Sequence, residues 1–588
     1  MNGPNNRRPD PGSRRWEITL FLIALGLVVA LILLFNVAIR LGHRISGTTD
    51  QIPDANAFEI IFSWFGGGVP WPASGTVVFW VSAAVLLLVA LGVFIGIRRL
   101  RKNSRVDRAG KYMGQGRDVE SMTKKKAGQT ASRLKVQGSP GVLIGRSVHG
   151  GQPLYGSWED MHVDIWGPRT GKTTSRAIPA ILDAPGAVLV TSNKRDVVDA
   201  TRDVREKKAP VWVFDPQGIA GEEPTWWWNP LSYVTDEVKA ARMAEHFASG
   251  SRDPGARTDA FFDPAGQDLL AGLLLAAALE KRPITDVYSW VTRPTDETAV
   301  DILRENGFPL IADQVAGVVT APERQRGGIF GTAQQMATCL TNRAVAHWIA
   351  PNGPEDDRPQ FNPEEFVRGA GTLYSLSKEG RGTAGPLVTA LTVAVVEAAE
   401  EYAVESPNGR LRVPMVGVLD EAANVCRWKD LPDLYSHYGS RGIVLMTILQ
   451  SWSQGVDVWT ESGMKKLWSA SNIKVYGGGV SEAQFLEDLS KLVGDYDRRS
   501  SSMSENREGN RHRTVSKQLS RERILDVSDL AAMPKGRALV MASGSRPTLV
   551  RTLPWMSGRY AADVKASIKA HDPQSKRTLE QAEPAPQG

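Results

Sequence analysis

The chain has 588 residues, 42% of them hydrophobic and 23% charged, too long for one ordinary core and too apolar for a disordered chain, so two or more domains are expected. Cys339 and Cys426 are the only cysteines; with no Cys/His pair at metal-ligand spacing, a disulfide framework and a structural zinc site are both excluded. The net charge of +6 suggests a basic nucleic-acid binder until it is divided: residues 1–126 carry 17 Lys/Arg against 8 Asp/Glu, and the remainder is net acidic.

Two apolar runs account for the N-terminal region. Ile18 to Ile39 and Thr76 to Ile97 each hold 22 residues without a charged side chain, roughly 33 Å as a helix and enough for a bilayer core. The first is too long for a signal peptide and ends in Arg40 rather than a small-residue cleavage site. Four Lys/Arg lie in 1–16, two in 40–75 and eleven in 98–126, which places both termini in the cytoplasm. The expectation is a multi-pass anchor in the cell membrane: a basic N-terminus (1–16), a two-helix span with a short extracytoplasmic loop (17–97), and a basic juxtamembrane segment and linker (98–150) against anionic lipid headgroups. Trp64, Trp71 and Trp80 suit the connecting loop to the bilayer interface.

From about residue 151 the pattern is α/β. The short apolar or β-branched runs 161–166, 187–191, 211–215, 372–376, 415–420, 443–449 and 473–477 read as buried parallel strands, mostly separated by helical patterns. The rhythm lapses between about 235 and 345, where an all-helical insertion is expected at about 280–345 of a domain spanning 151–555. Residues 556–588 are polar, contain proline and read as a largely disordered tail.

Three motifs carry chemistry. The first is WGPRTGKTTS, 166–175, between a strand and an apolar helix, the context of a phosphate loop. Gly167, Pro168, Arg169, Thr170, Gly171, Lys172, Thr173 and Thr174 are the candidate nucleotide-binding residues. The glycines turn backbone N–H groups toward phosphate, Lys172 reaches the β and γ phosphates, and the Thr173 hydroxyl can ligand magnesium. One departure is that only three residues separate Gly167 from Gly171, with Trp166 where the usual pattern has its first glycine. The second is MVGVLDEAANV, 415–425, a strand ending in two carboxylates: Asp420 toward magnesium, Glu421 to orient or deprotonate water. The third is ILQSWSQG, 448–455, whose Gln450 can sense the γ phosphate or position water. ATP and Mg2+ are the implied ligands.

The order of these motifs resembles the coupling proteins of conjugation and type IV secretion, the TraG/TraD kind, grouped with the FtsK-like and RecA-like hexameric motor ATPases. The resemblance runs from about 161 to 555 and includes TSNKRDVVDATRDVR (191–205), VWVFDPQG (211–218), WNPLS (228–232) and, closest, 419–455. It implies a RecA-like ATPase domain with a helical insertion, built as a membrane-anchored homo-hexamer. Such a ring would use ATP to feed a relaxase–single-stranded DNA nucleoprotein, or an effector protein, into a secretion channel of other membrane proteins. It also implies an arginine finger from a neighbouring subunit, with Arg441 the first candidate and Arg381 the second; Lys194 would pair with nucleotide or with a neighbour.

Two other classes share parts of this pattern. An FtsK-like DNA translocase would use the same motor, but commonly with more membrane helices and a separate C-terminal DNA-reading domain. A membrane receptor that binds nucleotide without hydrolysis would not need Lys172, Asp420, Glu421 and Gln450 together. Trp226, Trp227 and Trp228 read as packing rather than base stacking, Gly477 to Gly479 as a permissive turn, and Cys426 as a small core residue.

Overall fold

The computed structural model describes residues 29–30, 32–52, 56–101, 104–251, 259–379, 384–505 and 513–573. It divides into two compact units, Met1–Ser104 and Arg105–Gly588.

In the first unit a helix covers 32–45, a short helix Ala57–Phe65 follows, and a 27-residue helix occupies Gly75–Arg101. Most of the first apolar run, Ile18 to Val28, lies outside the described residues. The second run falls within Gly75–Arg101, where Val77, Trp80, Val81, Val85, Leu87 and Leu88 are exposed. Asn56 and Glu59 cap the short helix reciprocally, and Ile60 on its inner side packs with Ile39 and Val69.

The second unit is built on one eleven-stranded sheet. In chain order its strands are β1 (Val142–Ser147), β2 (Pro153–Gly156), β3 (His162–Ile165), β4 (Val188–Ser192), β5 (Val211–Phe214), β6 (Thr372–Leu376), β7 (Met415–Leu419), β8 (Ile443–Leu449) and β9 (Ile473–Tyr476). A separate hairpin, β10 (Asp495–Glu505) and β11 (Arg513–Arg523), precedes β12 (Arg537–Ala542) and β13 (Thr548–Arg551). The order across the sheet is β2-β1-β13-β12-β9-β3-β8-β7-β4-β6-β5. The seven strands from β9 to β5 are parallel and coincide with the seven expected runs. Helices cover both faces, so β3, β4, β6, β7 and β8 are buried along their whole length.

Three expectations change. The stretch assigned as juxtamembrane segment and linker is folded from Arg105 onward: helix Lys124–Arg133 packs beside β2, and β1 pairs antiparallel with β13. Gly141 and Gly145 allow close strand approaches, to Gly156 O and Arg551 O. The expected tail is ordered through helix Ala561–His571, which lies on helix Asp196–Glu206 with Val564 against Ala200 and Val204; residues 574–588 lie outside the described set. The helical block between β5 and β6 begins at Glu237 and runs to Arg368, wider than 280–345, and no strand occurs among its described residues. Its central helix, Phe262–Leu279, is the one described helix long and apolar enough to cross a membrane, yet Leu269, Leu270, Leu273 and Leu274 are buried in the unit's own core.

The plain readings of the aromatics and cysteines hold. Trp226 sits among Trp212, Trp348 and Phe361 at ring-centroid distances of 5.3–5.5 Å. Both thiols are buried, which pushes each up to about 12, far from nucleophile chemistry.

Candidate nucleotide site

Sheet order and register bring the three motifs together. β8 lies between β3 and β7, with Ile165 beside Leu449 and Leu419 beside Thr447. The loop after β3, the Asp420–Glu421 pair after β7 and Gln450 after β8 therefore emerge side by side at the carboxyl ends of the parallel strands. Glu421 has φ 56°, a left-handed turn that ends the strand and starts helix Ala422–Val425.

Lys172 is the hub. Its ammonium lies 3.1 Å from Asp420 Oδ1 and also donates to Glu421 Oε1. Gln450 Nε2 donates to the other oxygen, Glu421 Oε2, at 2.6 Å. Burial alone would lower the Lys172 ammonium, but Asp420 and Glu421 hold it above the usual lysine value. Asp420 is pushed up by burial, against the pull of Lys172 and with the push of Glu421. The polar chain continues outward: Gln454 Oε1 accepts from Gln450 N at 2.9 Å, Gln454 Nε2 donates to Asn424, and Asn424 and Asn193 both donate to Glu379 at 2.7 Å.

The two threonines after Lys172 differ. Thr174 spends its hydroxyl on Gly171 O at 3.1 Å, whereas the half-buried Thr173 hydroxyl has no hydrogen-bond partner among the described residues. Thr173 begins a π-type turn that leads into helix Ile178–Asp183. Arg169 and Gly171 both have positive φ, so the loop doubles back twice. A glycine loop, a lysine, a free threonine hydroxyl and a facing acidic pair form a donor set that fits a magnesium–nucleotide triphosphate.

The atypical spacing has a structural reason. Trp166 is fully buried in the core with Ile473, Val475, Val540 and Val550, and its backbone N–H donates to Leu449 O at 2.9 Å. A Cβ on Gly477 would come within 2.0 Å of the Trp166 ring, and one on Gly167 within 2.0 Å of Gly479 O. The glycines after β9 are thus a slot for the start of the phosphate loop, more than a permissive turn. Gly167→Ala should distort the loop at a cost of about 1–3 kcal/mol, seen as a lower unfolding temperature and weaker nucleotide binding. Gly331→Ala, with nothing within 4 Å of the added carbon, serves as the neutral control.

Beneath the loop lies a feature the motifs did not announce. Arg176, on the turn after Lys172, is fully buried and makes a two-toothed contact with Asp164 of β3 at 2.6 and 3.2 Å. It also donates to Leu143 O of β1 at 2.7 Å and approaches His162 Nδ1 at 3.1 Å. A charged residue in the middle of an apolar strand, Asp164 within HVDIW, was the available signal. Arg441 stands elsewhere: it ends the helix before β8, at the opposite, amino end of the parallel strands, 3.4 Å from Gly409 O and 3.9 Å from Glu400. Lys194 is exposed after β4, and Arg381 lies outside the described residues.

Residues 414–535 match the family described as the TraM recognition site of TraD and TraG. Among solved structures, the bacterial conjugative coupling protein TrwBdeltaN70 in an unbound monoclinic form matches with TM-score 0.50 and 18% identity, covering 70% of this chain and 88% of that one. The chain shares its fold with that structure. TrwBdeltaN70 in a trigonal form with sulphate matches with TM-score 0.51 at 16% identity over 73% and 92% of the two chains. TrwB with the ATP analogue ADPNP matches with TM-score 0.50 at 17% identity over 70% and 89%. No curated protein sequence matches the chain. The resemblance to type IV coupling proteins read from the motifs thus stands on a matched C-terminal segment and a shared fold.

Proposed function

We propose that this coupling-protein fold is an ATP-hydrolysing motor, anchored in the cell membrane, that recruits single-stranded DNA carried by a relaxase, or an effector protein, and drives it into a secretion channel. The convergence of Lys172, Asp420, Glu421 and Gln450 on one point carries this reading. Thr173 and Asp420 would hold the magnesium ion, which supplies charge neutralisation at the phosphates. To reach β and γ phosphates Lys172 exchanges its two carboxylates for phosphate oxygens. That exchange frees Glu421 to accept a proton from water, while Gln450, already bonded to Glu421, is placed to report the γ phosphate. ATP binding and base activation are then one event.

The exposed apolar face of Gly75–Arg101 supports the membrane anchor, with lipid bilayer and channel proteins as partners and both termini cytoplasmic. A homo-hexamer with Arg441 reaching a neighbour's nucleotide completes the proposal. The test is ATP turnover by the full chain in nanodiscs, with and without single-stranded and duplex DNA. Stimulation by DNA, with turnover per chain rising with protein concentration, is expected. Absence of turnover under all conditions would favour a nucleotide-binding receptor instead. Mixing Arg441→Ala with Glu421→Gln chains should restore activity if Arg441 acts across subunits, and no recovery in proven mixed rings would remove it from the mechanism.

A further inference from the structure

A cavity of about 560 Å³ lies away from the nucleotide site. It is lined from three distant stretches: Lys124, Leu143, Arg146 and Tyr155; Pro179, Leu182 and Asp183; and Leu553 to Trp555 with Ser557 to Tyr560. Its second stretch is the far end of the helix that begins at the phosphate loop, about 15 Å along the axis from Lys172. The volume is in the range that encloses a small organic ligand.

Its charge is unbalanced. Arg559 pairs with Asp183 at 2.7 Å and lies over the Tyr560 ring at 4.7 Å, so that guanidinium is fixed in place. Lys124 and Arg146 have no carboxylate partner among the described residues; Arg146 makes one long bond to Gly151 O. Two half-buried rings, Tyr155 and Trp555, share the lining, and Trp555 packs on the apolar cluster that includes Ile178 and Leu182 of the phosphate-loop helix. Burial raises the Tyr155 phenol above its ordinary value, so the ring stays neutral, and its hydroxyl has no hydrogen-bond partner among the described residues. Unpaired cations beside aromatic faces on an apolar floor are what a planar base with an attached phosphate requires.

We propose that this cavity binds one nucleotide unit, its phosphate between Lys124 and Arg146 and its base against Tyr155 or Trp555. The unit is either a free nucleotide or one residue of a single strand, and the proposal stands independently of hydrolysis at Lys172. Occupancy would press on the helix that carries the phosphate loop.

Photocrosslinking of the full chain in nanodiscs decides it, using 5-iodouridine monophosphate and a 5-iodouracil-substituted single-stranded 12-mer as probes, with crosslinks located by mass spectrometry. Labelling of Tyr155 or Trp555, reduced at least tenfold by Lys124→Glu with Arg146→Glu, is expected. Labelling by both probes identifies a free-nucleotide unit, and labelling by the 12-mer alone identifies a strand. Both cations are exposed, so the charge reversals should leave the unfolding temperature in place, and Trp555→Leu keeps the apolar packing as a second variant. Crosslinks confined to other sites, or labelling of these rings unchanged by the reversals, would overturn the proposal.

Discussion

Lys172→Ala is expected to abolish nucleotide binding and to make the folded chain less stable as pH rises. The ammonium is the cation lying between Asp420 and Glu421, whose side chains are 5% and 1% exposed. Removing one partner of a buried pair costs about 3–5 kcal/mol, because the remaining charge is left without compensation. Asp420 is already pushed up by burial; without Lys172 only the raising influences remain. A carboxyl with a raised folded pKa binds more protons folded than unfolded. Stability is therefore fully present below the ordinary carboxylate range and is lost as pH rises through the folded value. Urea midpoints of Lys172→Ala at about pH 5 and about pH 8 should thus separate, with the acid one higher, more widely than those of the parent. Glu421→Gln should do something different: it keeps ATP binding and lowers turnover roughly 100- to 10,000-fold. Binding and turnover measured on both variants separate the two roles, and undiminished turnover in Glu421→Gln would remove that residue from the chemistry.

The second large effect belongs to Arg176. Both it and Asp164 are fully buried, so Arg176→Ala leaves an uncompensated carboxylate under the phosphate loop, at about 3–5 kcal/mol. The double change Arg176→Met with Asp164→Leu should recover most of that loss, since an apolar pair of similar volume meets no desolvation penalty. His162 adds a pH dependence. Burial, and then Arg176, push its imidazole well below the ordinary value. A base with a depressed folded pKa gives stability that is complete above about 6.5 and falls as pH drops below it. Thermal unfolding from about pH 7.5 down to about pH 5 should show this decline in the parent and a smaller one in His162→Phe, because the buried His246, pushed down to about 3, contributes with the same sign. A double variant as unstable as Arg176→Ala alone would show that the network is needed for more than charge balance.

The parallel half of the sheet was legible because strands covered on both faces become continuous apolar runs, as in IVLMTIL of β8. The antiparallel half was not. β1 (VLIGRS), β2 (PLYG) and β13 (TLVR) are short and broken by glycine, proline or arginine; β2 pairs locally with β1, but β1 finds its second partner, β13, at the other end of the chain. The same long reach hid the order of Arg105 to Ser147, which composition alone renders as linker. At the site, Lys172, Asp420, Glu421 and Gln450 could be named because their chemistry dictates residue type at strand ends. Trp166 and the Gly477–Gly479 slot could not, since their fit depends on β9 lying beside β3.

The pairing of β1 with β13 also bears on how the chain comes to be folded. Ser147 finds Val550 about 400 residues later in the sequence. At roughly 5–20 residues per second, the ribosome needs on the order of 20–80 s to deliver that partner. Throughout that interval β1 presents an open edge, with Arg146, a glycine and a short span as its guards against pairing with the wrong neighbour. A nascent chain stalled before Arg537 would keep that edge open for good, and such arrested products are where aggregation of this protein should begin.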